Sequence, residues 1–103
     1  MELVDFVYNL VERFPKNENN ILVPQLLRAV NSVPSNIAEG SYRRSKKEFV
    51  QFLYVAKGSL SETLTLLEIS NRRKYITQEE RDKTRTICKD IFNLLSALIK
   101  SLS

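Results

Sequence analysis

The chain has 103 residues, of which 43% are apolar and 27% charged, with a formal net charge of +4. That is room for a single domain, residues 1–103, whose core can form without staples. Histidine is absent and Cys88 is the only cysteine, which excludes Ser-His-Asp and Cys-His catalysis, an intrachain disulfide and a thiolate metal cage.

Two glycines and three prolines are too few for an all-β domain built on tight turns, so the composition points to an all-α fold. The opening residues MELVDF carry neither a basic stretch nor a long apolar run, so no secretory signal is expected. No apolar run approaches the ~20 residues needed to cross a bilayer, and no membrane role is expected. A lone thiol suits a reducing compartment, and a cytoplasmic location is expected. The small positive charge permits an anionic partner without demanding one.

Leu3, Val7, Leu10 and Phe14 follow helical spacing, and Pro15 ends that run. The polar segment Lys16 to Asn20 reads as a loop. A second helix is predicted to begin between Ile21 and Val23, because Pro24 is tolerated only in a first turn. Its apolar positions are Leu26, Ala29, Val33 and Ile37. Pro34 falls inside this pattern and removes one backbone bond. Two readings stand: a helix kinked at Pro34 that runs to about Glu39 with Gly40 as its stop, or a helix that ends at Val33. Ile37 keeps the phase of the apolar face and favours the first.

Ser45 and Glu48 have the spacing of a capping box directly before an apolar run. Phe49, Leu53, Ala56, Leu60, Thr63 and Leu67 then form a heptad seam in a third helix predicted to reach Arg72 or Arg73. Thr77 and Glu80 repeat the capping box for a fourth helix, with a seam at Thr84, Ile87, Ile91, Leu94 and Leu98, flanked by Cys88, Leu95 and Leu102. Four amphipathic helices with short connections predict an antiparallel up-down four-helix bundle. On a helical wheel, Phe49, Val50, Phe52, Leu53, Val55, Leu64 and Leu66 cover more than half of helix three. Either the surplus faces another subunit, or a central helix uses it on two neighbours.

Chemistry has little to stand on. Gly40 and Gly58 are the only glycines, so neither a P-loop nor a dinucleotide-binding pattern exists. No catalytic residue, metal site or cofactor is assigned, and the chain is expected not to be an enzyme. Arg43, Arg44, Lys46 and Lys47 surround the start of helix three, where the helix dipole disfavours cations by about 0.3–1 kcal/mol each. One reading is a contact with a nucleic-acid backbone, RNA or DNA; the other is a solvated charged loop. No aromatic platform for base stacking accompanies those cations; Tyr42 is the only nearby candidate, so sequence-specific RNA readout gains no support. Arg72, Arg73 and Lys74 complement the dipole at the other end of the same helix and need no function.

Arg28, Asn36, Glu39, Ser59 and Glu62 lie on or beside the apolar faces of helices two and three. Buried polar groups must pair, so a hydrogen-bonded network locking the two helices is expected. Gly58 and Ser59 would allow their close approach, and loss of Glu62 or Glu39 would lower the melting temperature.

The stretch QLLRAVNSVPSNIAEGSYRRSKKEFVQFLYVAKGSLSE, residues 25–62, resembles the 23S rRNA intervening-sequence proteins, a four-helix-bundle protein family. Arg28-Ala29, the run Ser32 to Gly40, Arg44-Ser45, Glu48-Phe49 and Gly58-Ser59 with Glu62 carry the likeness. Looser similarity extends from about Leu3 to the end. The resemblance implies a cytoplasmic bacterial bundle that assembles as a homopentamer. It is similar in fold to the accessory protein of diversity-generating retroelements, which binds nucleic acid and a reverse transcriptase. It brings no catalytic residues. It also implies a longer first helix than the one here, and a small residue other than proline at position 24. The reading is thus a non-enzymatic oligomer that contacts nucleic acid through its basic turn, with a protein-interaction scaffold or a purely structural bundle as the alternative.

Overall fold

The computed structural model describes all residues, 1–103. Four helices account for the fold: α1 Glu2–Val11, α2 Leu22–Ser41, α3 Lys46–Arg72 and α4 Gln78–Leu102. A short 3₁₀ turn, Lys16–Glu18, lies between α1 and α2.

Helix α1 buries Leu3, Val7 and Leu10 on one stripe. It stops at Val11, before Phe14, because Pro15 biases its predecessor away from helical backbone. Phe14 is nevertheless buried, packed from the turn against Tyr75 with ring centroids 5.3 Å apart. Helix α2 begins at Leu22, so Pro24 sits in the first turn, where amide protons have no helical partner. The helix runs through Pro34 to Ser41, and Ile37 beyond the proline stays in contact with the core. Gly40 is not the stop expected of it: it lies inside the helix, buried, with an ordinary backbone.

Helix α3 starts where the Ser45 hydroxyl accepts the amide proton of Glu48 at 3.1 Å. It buries Leu53, Ala56, Leu60, Thr63 and Leu67, with Phe49 half-buried at the head of the seam. Its end is a Schellman turn. The Tyr75 amide reaches back to the Ser70 carbonyl at 2.9 Å, the Lys74 amide to that of Asn71 at 2.9 Å, and Lys74 takes a left-handed φ of 64°. Thr77 and Glu80 form a complete capping box on α4.

The face of α4 is rotated from the expected seam. Thr84, Cys88, Leu95 and Ile99 are buried, whereas Leu94 is 70% exposed. Apolar residues occupy both flanks of this helix, so its own pattern tolerates either phase. Contact with α3 decides. Three buried hydroxyls satisfy themselves along their own helices: Thr63 on Ser59, Ser70 on Leu66 and Thr84 on Glu80, each at 2.8 Å to the carbonyl.

Helix α3 is the spine, packed along α2 on one side and α4 on the other, while α1 covers α2 and touches α4. Arg81 binds Glu68 at 3.0 Å, joining the last turns of α3 to the first of α4. At the opposite end, Lys47 and Val50 share a groove with Leu102. The particle measures 44 × 25 × 17 Å, with a radius of gyration of 14.4 Å, larger than the about 13 Å of a rounder domain of this length. The flattening leaves the outward strip of α3 uncovered: Val55 is 52% and Ile69 43% exposed.

Candidate nucleic-acid interface

The turn between α2 and α3 gathers the four cations singled out by the sequence, and all are exposed. Arg43 is engaged within the molecule. It forms an ion pair with Glu39 one helical turn back at 2.9 Å, and its guanidinium carbon lies 4.8 Å above the centre of the Phe52 ring. Arg44, Lys46 and Lys47 have no carboxylate partner. Their positions follow from the Ser45 cap, which fixes where the helix starts and leaves Lys46 and Lys47 in its first turn. Three uncompensated cations thus stand beside amide protons that themselves favour an anion.

A second exposed aromatic residue joins this site besides Tyr42. Tyr54 is 57% exposed and lines one groove with Lys47, Val50, Gln51, Leu102 and Ser103. The sequence held the signal, since Lys47 and Tyr54 are seven residues apart and share a helix face. The contribution of the C-terminal turn of α4 is tertiary.

The expected polar network takes a smaller form. The Ser59 hydroxyl donates to the Ser32 hydroxyl at 2.8 Å, and the Asn36 amide donates to that hydroxyl and to the Ser32 carbonyl, each at 2.8 Å. Ser32 is therefore the hub that links α2 to α3. Its i, i+4 relation to Asn36 was the available clue. Arg28, Glu39 and Glu62 lie outside it: all three are exposed, Glu39 faces Arg43, and Arg28 and Glu62 have no side-chain partner. Gly58 does not permit a close approach, because nothing lies within 4 Å of where its Cβ would stand.

Cys88 is buried, and burial pushes its thiol up to about 11. It is protonated and a poor nucleophile at neutral pH. No group of acidic or thiol side chains gathers in a metal-binding cluster, and no helix is long and apolar enough to cross a membrane.

Four packed helices carrying a basic inter-helix turn define a small all-helical protein with an exposed cationic end. The chain belongs to the 23S rRNA-intervening sequence protein family, whose sequence model matches residues 1–97. Its fold is similar to the crystal structure of a protein of unknown function from the S23 ribosomal protein family of Bacteroides thetaiotaomicron. That match has a TM-score of 0.81 at 28% identity and covers 96% of this chain and 89% of the other. No curated protein matches the sequence.

Proposed function

We propose that the protein is a non-enzymatic oligomer that binds the phosphate backbone of nucleic acid through the α2–α3 turn. The observation that carries this reading is the trio Arg44, Lys46 and Lys47, exposed at a helix start and paired with no carboxylate. Folding gains nothing from cations there; a phosphate does. The membership of a family described by an rRNA insert is in keeping with it. The outward strip of α3, with Val55 and Ile69 two heptads apart, supports self-association. Five copies of a +4 chain carry +20, and turns on one rim would add their fields.

The two contributions of the cations have opposite signs, which makes the test sharp. Lys46→Glu with Lys47→Glu places acids in the first turn of α3, so the melting temperature should hold or rise, by about 0.3–1 kcal/mol of helix stability per residue. Retention of structured RNA and duplex DNA at about 50 mM salt should collapse. Wild-type protein that retains neither at this salt overturns the proposal. A second reading, a scaffold that docks a partner protein, is favoured by the same apolar strip. Val55→Lys and Ile69→Lys would then release protein partners that survive nuclease treatment, and nucleic-acid retention would be unchanged.

A further inference from the structure

We infer that the face shared by α3 and α4 binds a single strand of nucleic acid, with Tyr54 and Phe92 as stacking platforms and Lys57, Arg85 and Lys89 on its phosphates. The inference rests on the polyanion reading above and names which polyanion.

Cations and aromatic rings alternate along this face. The Lys57 ammonium lies 5.6 Å from the centre of the Tyr54 ring and 4.4 Å from that of Phe92. One charge on α3 thereby bridges rings on two helices. Beyond Phe92 opens a groove of about 390 Å³, with Leu60, Leu64 and Phe92 along its apolar floor and Arg85 and Lys89 at its edge. On the other side of Tyr54 lies the groove that contains Lys47. No Asp or Glu side chain lines either groove. Of the cations along this face only Arg85 has a carboxylate within 4 Å, Glu68 at 3.8 Å, and that acid is already held by Arg81 at 3.0 Å.

The row therefore runs from the basic turn through Lys47, Tyr54, Lys57 and Phe92 to Lys89 and Arg85. Between Lys47 and Ser61 it follows about 21 Å of helix, room for a few nucleotides of extended strand. Exposed rings with a cation beside each suit bases that have free faces, whereas a duplex hides those faces in its own stack. Tyr54 and Phe92 are 57% and 40% exposed. A base that takes a ring face displaces Lys57 onto the adjoining phosphate, exchanging one contact of the ammonium for another. An acidic peptide would meet the same charges but would gain little from open ring faces.

The test uses the full chain with oligo-uridine and oligo-deoxythymidine of about 12 nucleotides and a duplex of equal length, at about 50 mM salt. Tyr54→Ala and Phe92→Ala should each weaken single-strand binding about fivefold or more while duplex binding stays unchanged. The chain has no tryptophan, so Phe92→Trp places a lone indole in the groove. Its emission should be quenched by the single strands and not by the duplex, a readout independent of the truncations. The tighter of the two oligomers identifies RNA or DNA as the ligand. Single-strand affinity unmoved by both truncations, or an indole unaffected by a strand that binds, overturns the stacking face and leaves the basic turn standing. Wild-type protein that binds neither single strands nor duplex overturns both.

Discussion

Gly40 and Phe52 meet at backbone distance: a Cβ on Gly40 would stand 2.7 Å from the Cβ of Phe52 and 2.8 Å from an edge atom of the Phe49 ring. The first of these atoms is fixed to the backbone of α3 and cannot swing aside. Gly40→Ala should therefore push α2 off α3 and destabilise by about 1–3 kcal/mol, more than the helix propensity that alanine gains. Gly58 is the control. It is exposed, helical and has open space around it, so Gly58→Ala should stabilise by about 0.5–1 kcal/mol. Thermal melts of the two variants should move in opposite directions. A shift of the same sign in both would refute the packing role of Gly40.

Ser32 holds a different join between the same helices. Ser32→Ala leaves the Ser59 hydroxyl and the Asn36 amide short of an acceptor they share. These groups are half-buried, which puts the cost at about 1 kcal/mol and the drop in melting temperature at roughly 4–8 °C. Glu62→Gln, at an exposed residue with no partner, should change stability by less than about 0.5 kcal/mol. Chemical denaturation of both variants checks the contrast, and equal losses would mean that Ser32 is no hub.

Glu80 predicts the behaviour in acid. Burial raises its pKa, but the Thr77 amide and the Arg13 guanidinium outweigh burial, and the carboxyl is held below its ordinary 4.5. A depressed carboxyl stabilises the fold while ionised, and that stabilisation is lost as pH falls through the depressed value. Melting temperature should therefore decline below about pH 4.5, and the decline should be shallower in Glu80→Gln. Superimposable pH profiles for wild type and variant would rule out this coupling.

Most of the fold was legible because its signals are local. Ser45, Thr77 and Glu80 mark helix starts by hydrogen bonds three residues long, and Pro24 fixes the start of α2 by its ring. The phase of α4 was not legible. Leu94 and Ile99 are equally apolar, and only the position of α3 decides which of them is buried. Gly40, expected as a stop, makes the close approach expected of Gly58, because what a missing Cβ permits depends on the neighbour across the interface. At the candidate interface, the four cations were visible as a run. Phe92 was not, because it joins Lys57 and Tyr54 only after α4 folds back along α3.

The Tyr75 hydroxyl donates to Glu18 at 2.7 Å, tying the first inter-helix connection to the third across 57 residues. With Phe14 packed at a tilt against Tyr75 and Arg13 paired with Glu80, that pole is held by three contacts. The basic pole has no comparable clasp. Breathing motions should begin there, so the amides of residues 42–47 should exchange with solvent well before those around Tyr75. The end proposed to meet a polyanion is thus the end able to adjust its shape to one.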